Sequence, residues 1–216
     1  MSQFADNWDQ KKKQPGLGER LRGSANQGAP LKPRLDQATR QIQTVMGRLD
    51  STMARLREKD ASLFSRIVAS LQKRDSARAS IYANELGELR KTSRMVTQSR
   101  LALEQVMLRL NTITDMGDIV TTLAPATSVI SGLRQSLTGL VPEAEGGMSE
   151  ISSLLSGILV DAGSVSGSSL NFEVANEEAE SVLSEAAAVA ESRMQGAFPE
   201  IPAAAAARSS AEMEEA

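Results

Sequence analysis

Residues 32–114, KPRLDQATRQIQTVMGRLDSTMARLREKDASLFSRIVASLQKRDSARASIYANELGELRKTSRMVTQSRLALEQVMLRLNTIT, decide the fold. In the first half, apolar residues fall at Leu35, Ala38, Ile42, Val45, Leu49, Met53 and Leu56, then at Leu63, Ile67 and Leu71. The early spacings alternate three and four, which marks a narrow stripe that buries against another helix. In the second half, Tyr82, Leu89, Val96, Leu103 and Leu110 recur every seventh residue. Ala79, Leu86, Val106 and Ile113 fill in the same face. A sustained seven-residue repeat predicts a seam packed on a near-antiparallel partner. The two halves therefore read as the arms of a helical hairpin, each about 60 Å long.

Between the arms, Gln72 to Ser80 (QKRDSARAS) reverses the chain without Gly or Pro, so one continuous helix stands as the alternative. Asp75 is placed to cap the second arm, its carboxylate accepting from the first free N–H groups. Pro33 fits the first turn of the first arm. Near Asp60 the stripe changes phase through Leu63 and Phe64, which predicts either a bend or a correction of the supercoil.

Outside the hairpin, residues 1–30 read as a flexible tail broken by Pro15, Gly16, Gly18, Gly23, Gly28 and Pro30. Within it, Phe4 and Trp8 stand four apart beside Lys11, Lys12 and Lys13. Two rings on one side of a short helix next to a basic run suit a lipid interface, and a plain tail is the competing reading. A third helix is expected over 119–140, interrupted at Pro125. Pro142 can begin a fourth after the hinge LVPEAEGG (Leu140 to Gly147). The smaller helices thus occupy 115–160. Residues 161–171, rich in Gly and Ser, read as a linker. An acidic, Ala-rich fifth helix follows over 172–195. The tail, 196–216, carries Phe198-Pro199-Glu200-Ile201-Pro202. Its two prolines fix an extended chain with little entropy to lose on docking, and Phe198 and Ile201 are the candidate anchors. The fold class is all-α: a long antiparallel hairpin, shorter helices, and a flexible acidic C-terminal region.

Composition narrows the function. The 216 residues include no Cys and no His, which removes disulfides, thiolate metal sites and the commonest acid/base group. Aromatics make up only 3%, fewer than a compact core uses. No nucleotide-binding glycine motif and no nucleophile elbow is present, and the carboxylates lie on helix surfaces and in the acidic end. An enzyme is not expected, nor a cofactor or a metal. No run of apolar residues is long enough to span a bilayer.

The net charge of −3 hides a polarity. Residues 1–30 carry a net +2, residues 31–114 a net +8, and residues 115–216 a net −13. A basic hairpin attracts an anionic surface, and an acidic half can fold back and compete for it. Arg40, Arg48 and Arg55, with the N-terminal Phe4, Trp8 and Lys11–Lys13, are the candidate membrane contacts. Nucleic acid is disfavoured, because the hairpin offers only Phe64 and Tyr82 for stacking and Tyr82 lies on the seam. A coiled-coil scaffold or nucleic-acid coat remains the alternative.

The second arm also carries a resemblance. The turn Asp75–Ala79, the run Tyr82-Ala83-Asn84-Glu85-Leu86, the pair Arg90-Lys91, and Leu103-Glu104-Gln105-Val106 with Leu108-Arg109-Leu110 resemble the ESCRT-III family. The likeness is strongest to the archaeal cell division B (Cdv B) proteins. The upstream stretch DASLFSRIVASLQKRD fits as well, and the resemblance covers roughly residues 31–160. It implies curved filaments of this chain and its paralogues on membranes, in archaeal cell division. It implies a closed form, restrained by the acidic C-terminal region, that opens on assembly. It implies that Phe198, Pro199, Ile201 and Pro202 bind the MIT domain of an AAA ATPase that disassembles the filament. It implies a cytoplasmic protein, peripheral on the inner face of the cell membrane at the division site. The Ala-rich end after Pro202 is too short for the winged-helix domain of some archaeal members, so a paralogue lacking that domain is expected.

Overall fold

A computed structural model of the protein describes residues 31–113, 116–166 and 172–202. The described residues form α1 (Leu31–Gln72), α2 (Ser76–Asn111), α3 (Met116–Leu137), α4 (Pro142–Ser166) and α5 (Phe172–Ala197). There is no strand among them. The hairpin expectation holds: α1 and α2 pack along one another. The reversal is confined to Lys73 and Arg74. Arg74 takes a left-handed backbone (φ 59°), the Arg74 N–H donates to Leu71 O (2.9 Å), and the Asp75 N–H donates to Ser70 O (3.0 Å). These two bonds close the end of α1 in the manner usually built on Gly. Asp75 then caps α2, its Oδ1 accepting from the Arg78 N–H at 3.1 Å.

No bend interrupts α1 at Asp60. Leu49, Met53, Leu56, Asp60, Leu63 and Ile67 keep the three-and-four spacing, so the stripe never loses phase. One seam position is filled by an acid. Asp60 is buried, and Arg90 of α2 grips it through two bonds, Nε to Oδ2 at 2.7 Å and an Nη to Oδ1 at 3.2 Å. The apolar core falls into two clusters on either side of this position in the sequence. Towards the turn, Leu63, Ile67, Ala79, Ala83 and Leu86 form a small cluster of the hairpin alone, joined by Phe64, Tyr82 and Leu89. Towards the open end, a larger cluster draws in α3, α4 and α5. There α4 lies on α1, α5 on α2, and α3 contacts α2, α4 and α5.

Two expectations about the smaller helices need correction. Pro125 does not interrupt α3, which runs from Met116 to Leu137 with the proline inside it. Pro125 is buried, and its neighbours Leu123, Val129, Ile130 and Leu133 are fully or nearly fully enclosed, so burial on three sides outweighs the one N–H that proline withholds. Likewise α4 continues through Ser166, into the stretch predicted as linker, with Ile158, Leu159 and Ala162 buried. The buried residues up to Ala162 carry the helix on past the weak propensity of Gly163.

Candidate interaction surface of the hairpin

The site is the outer face of the hairpin and what lies on it. Arg40, Arg48 and Arg55 are exposed on α1 at intervals of eight and seven, so they share one face of the helix. Two of them are engaged by the start of α4. Arg48 donates to Glu143 O at 2.6 Å, and Arg55 meets the Glu143 carboxylate at 3.2 Å and Thr52 Oγ1 at 3.1 Å. The bond from Arg55 holds the Glu143 carboxyl below the usual carboxylate range. A backbone hydrogen bond and the charges of Arg55 and Arg48 act in the same direction. Lower down the same interface, Arg34 pairs with Asp161. Arg40 makes no ion pair among the described residues.

The helices meet closely here because of glycine. A Cβ on Gly147 of α4 would lie 2.5 Å from Cγ2 of Val45, a fully buried and branched side chain of α1. Only hydrogen fits at that position. At the preceding residue, which is exposed, a Cβ on Gly146 would meet nothing within 4 Å.

The other arm is covered by α5. Arg94 of α2 pairs with Glu191 at 2.8 Å, and Arg109 pairs with Glu178. Gln98 Nε2 donates to Leu183 O at 3.2 Å. Among the described residues, four ion pairs join the basic hairpin to the acidic half: Arg34–Asp161, Arg55–Glu143, Arg94–Glu191 and Arg109–Glu178. All are partly exposed and screened by solvent, so their common sense is orientation rather than strength.

Beyond α5 the chain runs back over the hairpin. Phe198 is half-buried against the larger cluster, and the Arg90 guanidinium stands 5.3 Å from its ring centroid. Ile201 packs on the smaller cluster near the turn. Pro202 is half-buried and Pro199 exposed. The two anchors predicted for a partner groove thus pack on the chain's own two apolar clusters, Phe198 also against Arg90.

Phe4, Trp8, Lys11, Lys12 and Lys13 lie outside the described residues. Asp60 and Arg90 were missed as a pair by sequence reasoning. The signal was available: Asp60 stands seven residues after Met53, where the stripe calls for an apolar residue. Among the described residues no helix is long and apolar enough to cross a membrane, and no group of three or more acidic residues is placed to hold a metal.

The chain's relatives among known proteins include two from Sulfolobus acidocaldarius. Cell division protein B1 is 43% identical over 175 residues, which is 81% of this chain and 82% of the relative. Cell division protein B is 32% identical over 155 residues, 72% of this chain and 59% of that protein. No protein-family model and no solved structure matches the chain.

Proposed function

The chain belongs to the archaeal cell division protein B type of the ESCRT-III family, and from that premise we propose that it polymerises on the inner face of the cell membrane and constricts or severs the membrane neck during division. The observation that carries the reading is the folding of the acidic half onto the basic hairpin through oriented ion pairs. Apolar burial would hold such a cover on any hairpin, but it would not set acid opposite base along it. A hairpin that must bind an anionic surface, but only on demand, needs one. Opening frees Arg48 and Arg55 from Glu143 and aligns them with Arg40 against anionic headgroups. Polymer curvature then does mechanical work on the bilayer without bond chemistry in this chain.

The same opening releases Phe198, Pro199, Ile201 and Pro202 for the MIT domain of an AAA ATPase. While Phe198 rests under Arg90 and Ile201 on the cluster near the turn, that domain cannot enclose either. Paralogous subunits are the further partners in the polymer.

The test is electron microscopy and sedimentation of the protein with and without anionic vesicles. Filaments on vesicles, and pelleting that is lost at high salt, are the expected result. A protein that neither pellets at low salt nor forms filaments contradicts the proposal. Duplex DNA that displaces the vesicles favours the nucleic-acid coat instead, since steep salt dependence is common to both anions.

A further inference from the structure

A cavity of about 320 Å³ lies where the end of α5 meets the two arms of the hairpin. Its apolar wall includes Leu49 and Met53 from α1, Val96 from α2, and Met194 and Phe198 from the C-terminal side. Leu49 and Val96 lie fully buried behind it, so the surface offered to a ligand is that of Met53, Met194 and Phe198. Its polar wall is cationic: Arg57, Arg100 and Arg193 line it against a single acid, Asp50. Arg100 is already committed, to Asp50 at 2.6 Å and to Glu104 at 3.0 Å. Arg57 and Arg193 are exposed and form no ion pair among the described residues, although they come from different helices and both border the same space.

We propose that this cavity is a binding site for a single-chain anionic amphiphile, a carboxylate or phosphate head on a hydrocarbon tail. The argument is complementarity on both sides of the ligand. Two guanidinium groups that cannot neutralise each other offer forked donors to one oxyanion. The apolar wall takes the tail, and the volume sits at the small end of ligand sites, which suits a single chain. Because α1, α2 and the end of α5 all contribute, the ligand binds only when α5 lies on the hairpin. It therefore favours the closed arrangement by mass action. This inference does not rest on filament formation or vesicle binding and is tested without either.

The experiment is calorimetric titration of the full chain with decanoate and with decyl phosphate, each below its micelle concentration. Decanol and inorganic phosphate serve as comparisons. Saturable binding of either anionic amphiphile, with both comparisons weaker, is expected. Arg57→Ala with Arg193→Ala should weaken it roughly tenfold or more, the worth of a lost charged hydrogen bond. Ala54→Trp, at an exposed position on the wall, should block it without changing charge. Amide exchange in α5 should slow on binding. Equal binding of decanol, equal binding of inorganic phosphate, or unchanged affinity in the double variant while circular dichroism stays native would each overturn the proposal. So would the absence of saturable binding.

Discussion

Arg74 turns the chain without a glycine. Its left-handed backbone costs a non-glycine residue about 1–2 kcal/mol, and its side chain is exposed, so nothing in the fold recovers that cost. Arg74→Gly should therefore raise stability, by up to about 1 kcal/mol after the added freedom of the unfolded chain is counted. A urea midpoint that falls instead would show that the arginine makes a contact of value. The opposite kind of residue is Asp60, whose side chain is 4% exposed and held by Arg90, 17% exposed. Asp60→Ala leaves that guanidinium facing the seam alone. The expected loss is about 3 kcal/mol, the lower end for a broken buried pair, because Arg90 can reach solvent. Replacing both, Asp60→Leu with Arg90→Met, should restore most of it. Denaturant unfolding of the two variants separates a pair kept for strength from one kept for register. A double variant as weak as the single one would point to strength.

At the scale of helices, what was legible in the sequence follows from periodicity. The hairpin arms have a long repeat with large aliphatic residues, so two helices that need a partner could be read from it, and Asp75 announced the second arm as a cap, while a turn without Gly or Pro left one continuous helix open. The rest was hidden where burial outvotes local signals. Pro125 and the start of the Gly/Ser run look like breaks, yet both lie within helices. The apparent phase change at Asp60 was one polar residue in an unbroken stripe. The docking of Phe198 and Ile201 on the hairpin had no local signature at all, because it depends on where α5 ends. The adjacent glycines of α4 make the same point in testable form. Gly146→Ala removes a flexible residue from an open face and should stabilise by about 1 kcal/mol. Gly147→Ala gains the same propensity but drives a methyl into Val45, and overpacking of this kind costs about 1–3 kcal/mol. Thermal melts should move in opposite directions for the two variants, and parallel shifts would mean that α4 does not approach α1 so closely. The N-terminal clip of α4 adds a pH dependence. Since the carboxyl of Glu143 is held below its ordinary range, its contribution is present above the unfolded value and lost as pH falls through the folded one. Acidification, or Glu143→Gln at neutral pH, should speed amide exchange in the first turns of α4. Exchange that is insensitive to both would mean that the clip does not hold the helix.

For the whole molecule, the decisive property is that charge of one sign occupies the hairpin and charge of the other sign the helices laid over it. Each cross-pair is weak because solvent and salt screen it, with a screening length of about 8 Å at physiological ionic strength. Weakness suits a cover that has to come off, since two states a few kcal/mol apart exchange readily and respond to modest input. Glu178→Lys with Glu191→Lys turns two attractions into repulsions against Arg109 and Arg94. The combined change is on the order of 1–2 kcal/mol, enough to raise the share of molecules with α5 undocked by roughly five- to thirtyfold. Protease sensitivity of the chain beyond α4 should rise accordingly, and more protein should pellet with anionic vesicles at a given salt concentration. Adding Arg94→Glu and Arg109→Glu restores attraction with the signs exchanged. Protection from protease should return in this four-residue variant, and vesicle pelleting should fall back with it, because α5 again covers its arm of the hairpin. If pelleting stayed high while protection returned, docking of α5 would not be what limits access to the membrane. If neither property moved in the first variant, α5 would be held by Phe198, Ile201 and the apolar face of its own helix rather than by the field between the two halves.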